Sequence, residues 1–137
     1  MMCSMAKSTE PFGKTPMPTE AELAILQILW KHGPSTVREV HTALQSRGTG
    51  YTTALKQMQV MIEKGLLTRS DRYRSHVYEA RIPQEQTQLL LTRNLLQRAF
   101  DGSAKNLVLG ALSAQPVSAS ELAEIRQMLD KFEKEKS

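Results

Sequence analysis

The sequence predicts a mainly α-helical chain in which three helices and a two-stranded β-hairpin are followed by three further helices. Three observations predict it. Apolar residues recur at helical spacing in six separate stretches. Three of those stretches open on a Ser or Thr with Glu three residues later (Thr19/Glu22, Thr36/Glu39, Ser118/Glu121), the capping-box pattern that satisfies orphan N–H groups at a helix start. Between the third and fourth stretches, over residues 66–80, the helical period gives way to short apolar runs around a polar segment.

Residues 1–17 read as a disordered tail, with Pro11, Gly13, Pro16 and few large apolar groups. The first helix covers 21–32. Leu23, Leu26, Leu29 and Trp30 share one face, Ile25 and Ile28 widen it, and Gly33-Pro34 stops it. The second covers 37–45, with Val37, Val40, Ala43 and Leu44 facing inward. A turn at 47–50 uses glycines free to take positive φ. The third covers 51–64, with Ala54, Leu55, Met58, Met61 and Ile62 as its stripe and Gly65 as its breaker. Residues 66–69 and 76–80 form the hairpin, with Arg72 and Arg74 in a basic loop. Pro83 ends that unit. Helices then follow over 84–100, over 104–112 (capped by Ser103) and from 118 to about 134. The expected domains are a unit at 18–82 and a helical region at 83–137.

Charge is unevenly placed. The net charge is +4 and the pI about 9.4. Residues 47–81 carry seven basic residues, opposed only by Glu63, Asp71 and Glu79, while 83–137 balance to zero. A basic segment of this kind is the footprint of a face that meets phosphates, although a solvated surface gives the same arithmetic.

Three helices followed by a hairpin make a winged helix, a variant of the helix-turn-helix in which the third helix enters the major groove. On that reading Tyr51, Thr52, Thr53, Lys56 and Gln57 form the recognition face, with Gln59 beside them. Thr and Gln can hydrogen-bond base edges, and Lys can reach a phosphate or a guanine. Arg69, Arg72, Arg74 and His76 belong to the wing and its flanks. The competing reading leaves these groups facing water, in a winged helix that binds protein partners instead of DNA.

The last 55 residues cannot easily close a core alone. Leu89, Leu96, Phe100, Leu122, Ile125, Leu129 and Phe132 would be left wet, so a homodimer interface is expected there. The alternative is that these helices fold back on the winged helix.

Catalysis is not indicated. The single cysteine, Cys3, lies in the tail and excludes both an internal disulfide framework and a paired-cysteine zinc site. His32, His41 and His76 fall one per element, without metal-ligand spacing, so no catalytic residue, metal or cofactor is expected. Apolar runs such as 89–91 fall far short of the ~20 residues that span a membrane, and the first residues lack the long apolar stretch of an export signal.

Four segments, PTEAELAILQILWKHGPSTVREV, YTTALKQMQVMIEKGLLTR, VYEARIP and SASELAEIRQMLDK, together resemble the penicillinase-repressor family. The resemblance implies a cytoplasmic homodimeric repressor with an N-terminal winged helix, a C-terminal dimerisation region and a palindromic double-stranded DNA operator. It also implies release of DNA on inactivation, in several members by a sensor protease. The chain departs from the family pattern in places. Val60 stands where the family often has a basic residue, and Lys56 where it often has Thr, which implies a different operator sequence. Cleavable members carry Asn-Phe after LVL in the short middle helix, whereas here Gly110-Ala111 follows. The copper-responsive branch ends in a cysteine cluster, whereas this chain ends Glu135-Lys136-Ser137.

Overall fold

The computed structural model describes residues 17–71 and 76–136. It holds the predicted element order: α1 (Glu20–His32), α2 (Val37–Ala43), a 3₁₀ turn (Gln45–Arg47), α3 (Tyr51–Lys64), β1 (Leu67–Ser70), β2 (Val77–Ala80), α4 (Gln84–Ala99), α5 (Ala104–Ala114) and α6 (Ala119–Lys136). The fold is a winged helix with further helices C-terminal to it. The chain divides into two compact units, one ending at Arg93 and the other beginning at Asn94.

Local chemistry sets the helix ends. Thr19 Oγ1 accepts the Glu22 N–H at 3.1 Å, and the Glu22 carboxylate accepts the Thr19 N–H at 3.0 Å. Thr36 and Glu39 repeat this reciprocal pair at 3.1 and 2.9 Å. Ser103 and Ser118 each accept the N–H three residues on. For the Ser118/Glu121 box this is one of the two bonds the pattern predicts. Helix α3 ends at Gly65, whose φ of 84° lies in the left-handed region that a side chain resists. There the Gly65 N–H donates to Ile62 and the Leu66 N–H to Met61, closing the last turn and reversing the chain into the hairpin.

The hairpin is antiparallel, with Leu67 opposite Ala80 and Arg69 opposite Tyr78. Its β2 edge is not open at Tyr78. Ser35, just before α2, exchanges both backbone hydrogen bonds with Tyr78, at 2.9 and 2.8 Å, and adds a one-residue third strand. That bridge ties the start of α2 to the hairpin.

The core of the first unit draws from α1, α2, α3 and the hairpin region. Ile25, Leu26 and Leu29 come from α1, and Val37 and Val40 from α2. Ala54, Met58 and Met61 come from α3, and Leu66, Leu67 and Tyr78 from the hairpin region. Met58 and Met61 are fully enclosed, where unbranched side chains fill irregular space. Burial of one such side chain is worth about 2 kcal/mol. Trp30 Nε1 donates to the Ile82 carbonyl at 3.0 Å and fixes where the chain leaves β2.

Details depart from the sequence reading. In α1, Ile25 lies at the centre of the buried face, while Leu23 and Trp30 are only half-buried. The stripe is rotated because α3 and the hairpin pack on it from one side. Ala43 is exposed rather than inward, and α2 ends there, with Leu44 alone carrying burial into the 3₁₀ turn. Leu66 is buried in the turn ahead of β1, and His76 precedes β2. Of the two glycines at 47–50, only Gly48 takes positive φ, while Gly50 is extended and precedes α3 as its N-cap.

The second unit contrasts with the first. No side chain of α5 or α6 is buried. Within it, the Phe100 ring lies 3.6 Å from the position a Cβ would take on Gly110.

Candidate nucleic-acid interface

Helix α3 is amphipathic in a way that fixes what it presents. With Ala54, Met58 and Met61 sealed into the core, the helical period turns the opposite face outward. Thr52, Thr53, Lys56, Gln59 and Val60 are exposed, and Gln57 is half-buried. Thr52, Thr53, Lys56, Gln57 and Val60 line one wall of a shallow groove, and Thr19 and Glu22 at the start of α1 line the other. Four of those five α3 side chains carry hydrogen-bonding groups, and Lys56 has no ion pair among the described residues.

One charge pair ties α3 to α1. Lys64 Nζ lies 2.7 Å from Glu22 Oε2, linking the last turn of α3 to the first turn of α1. Burial pushes the Glu22 carboxyl up, but the Lys64 ammonium and the hydrogen bonds from Thr19 outweigh it and hold the group below its ordinary value. A lowered folded-state value means that the ionised form stabilises the fold above the usual carboxylate range. This contribution is lost as pH falls through the lowered value. Glu22→Gln keeps an acceptor for Thr19 and removes the charge. It should lower stability at pH 7 by about 1 kcal/mol and flatten the loss seen in the wild type below about pH 5, as read by urea unfolding at several pH values.

Tyr51 differs from its neighbours. It is 44% exposed, but its ring stands edge-on to His41 of α2, with centroids 5.7 Å apart. It therefore lines a second cleft, with Arg38 of α2, His76 and Tyr78. Arg38 was not among the expected site residues. The Ser35–Tyr78 bridge brings the start of α2 beside the hairpin, so Arg38 opens onto the same cleft as Tyr51 and His76. Its only sequence signal is a basic residue in the first turn of a short helix.

At the wing, Arg69 and His76 both approach the Asp71 carboxylate, at 3.4 and 3.6 Å, and all three are largely exposed. Arg72 and Arg74 lie outside the described residues. Among the described residues no cluster of His, Cys, Asp or Glu could hold a metal ion, and no helix is long and apolar enough to cross a membrane.

This arrangement of an outward polar helix face beside a hairpin accompanies a direct match. The family model described as penicillinase repressor matches residues 18–131. The chain belongs to the penicillinase repressor family. The family is one of DNA-binding transcriptional regulators and not of enzymes. A penicillinase repressor of Bacillus licheniformis is 27% identical over 124 residues, covering 90% of this chain and 97% of that protein. A solved MarR family protein from Bacillus stearothermophilus is 17% identical, with a TM-score of 0.46 over 98% of this chain and 82% of its own, too distant to bear on function.

Within this member of the penicillinase repressor family, the expected residues that the structure describes fall into three sets. Thr52, Thr53, Lys56 and Gln57 share the outward groove of α3. Tyr51 and His76 share the cleft with Arg38, and Arg69 meets His76 at Asp71. The residues expected at a dimer interface lie elsewhere. Leu89, Leu129 and Phe132 are 51, 55 and 68% exposed, while Leu96, Phe100, Leu122 and Ile125 are half-buried.

Proposed function

We propose that this chain is a homodimeric repressor that places two copies of α3 in successive major grooves of a palindromic operator. The winged helix at 18–82 reads DNA, and the helices of 83–137 pair two chains. The observation that carries the reading is the sorting of α3. Its apolar stripe is sealed in the core, and Thr52, Thr53 and Lys56 stand exposed together on the opposite side. Thr52, Thr53, Lys56 and Gln57 contact bases or their flanking phosphates. Tyr51, Arg69, Arg72, Arg74 and His76 hold the backbone beside them. Acting on DNA, the repressor works in the cytoplasm.

Relief of repression by an upstream sensor, a membrane protease in the proteolysed members, is part of the same reading. Gly110-Ala111 follows Leu109 where the cleavable members carry Asn-Phe, so cleavage at that point is not part of the proposal. Gel shift with the chain's own promoter region tests the function. A shift at nanomolar protein that falls steeply with salt, and that an unrelated duplex does not compete, is the expected result. A chain that binds no duplex even at low salt would instead be a winged-helix interaction module.

A further inference from the structure

Val60 is the one apolar side chain among the residues that line the α3 groove. It is 38% exposed and does not belong to the core or to the residues packed against it. At about 100° per residue, it falls almost opposite the centre of the whole apolar stripe that packs on the core, Ala54, Leu55, Met58, Met61 and Ile62. It sits one turn beyond Lys56 and Gln57 and two turns beyond Thr53, on the same groove wall. Single exposed apolar residues are common. The position is what distinguishes this one, because the midline of the outward face approaches a groove floor most closely. A β-branched residue is also a weak helix former there, where a long polar side chain would suit an exposed helix better.

We propose that Val60 is a specificity-determining residue that packs on the C5-methyl group of a thymine in each operator half-site. The inference rests on the reading that α3 enters the major groove. The chemistry there is selective, because among the base edges of the major groove the thymine methyl is the apolar one. An isopropyl group has no polar atom to satisfy against the other edges. In a helix Val holds essentially one χ1 rotamer, so docking it orders almost nothing. Gln57 and Lys56, one turn back, then read or anchor the adjacent base pairs. The recognised thymine accordingly lies next to the pair that they contact.

The test uses the full chain and an operator that it selects from a random duplex pool at fixed salt. Each thymine is replaced by uracil, symmetrically in both half-sites, which removes only the methyl group. The expected result is one symmetric position where wild-type affinity falls about fourfold per half-site, from the loss of one buried methyl. Val60→Ala should bind the thymine and uracil operators alike, with unchanged helical content by circular dichroism because the side chain is exposed. Val60→Thr, which keeps one methyl, should retain part of the preference. Wild-type indifference to uracil at every position, or a full thymine preference in Val60→Ala, would overturn the proposal and leave groove reading intact. Failure to select any sequence would remove groove reading itself, and this proposal with it.

Discussion

Changing Lys56, Arg72 and Arg74 together to alanine is expected to lower operator affinity about 100-fold or more at moderate salt. Lys56 is exposed on the outward face of α3, without an ion pair among the described residues, so its loss removes no packing. The two arginines sit in the sequence between the strands of the wing. In a dimer, three cations per chain become six contacts. Each neutralised phosphate contributes about 0.9 to the slope of log affinity against log salt, so the slope should fall by roughly five. If Lys56 instead pairs with a guanine, the slope falls less and discrimination at that base pair relaxes. Gel shifts at several salt concentrations separate these outcomes. Unchanged affinity in the triple variant would remove the assignment of these residues while leaving family membership untouched.

The second large effect is on assembly. Leu129→Asp and Phe132→Asp are each expected to yield monomers and to weaken operator binding by about 100-fold or more, because two half-sites no longer bind one linked ligand. The physical ground is the second unit itself. Its α5 and α6 bury no side chain, and Leu129 and Phe132 are more than half exposed. A unit of this size that buries so little of its own core leaves an apolar surface for a partner. Since neither residue supports the fold of its own chain, a carboxylate there does no harm in a monomer. In an apolar interface between copies it introduces an unpaired buried charge. Light scattering reads the mass directly. Wild-type mass in both variants would show that the helices of 83–137 pair through another face or do not pair.

The parts legible in the sequence were those set by local chemistry. Both N-terminal capping boxes, the glycine stop after α3 and the apolar stripe of α3 follow from residues within four positions of one another. Features made by distant residues were not legible. The Ser35–Tyr78 bridge joins positions 43 apart through backbone atoms, which no side-chain pattern announces. Arg38 was missed for the same reason, since that bridge is what carries it to the cleft shared with Tyr51 and His76. The Lys64–Glu22 pair spans 42 residues, and each partner had a sufficient local role as a helix-end charge. Ala43 fits a helical stripe by spacing, but α2 ends beneath it. Tyr51 neighbours Thr52 and Thr53 in sequence, but the helical step of about 100° per residue brings its ring against His41 of α2, a contact that no local pattern announces.

The central claim is that two linked copies of α3 read inverted half-sites on one face of DNA. Inserting five base pairs, about half a helical turn, between the half-sites of a selected operator tests it most directly. The predicted result is a loss of affinity for the full chain approaching that of a single half-site, with ten inserted base pairs restoring part of it. Equal affinity for the native, five-insert and ten-insert operators would contradict the claim.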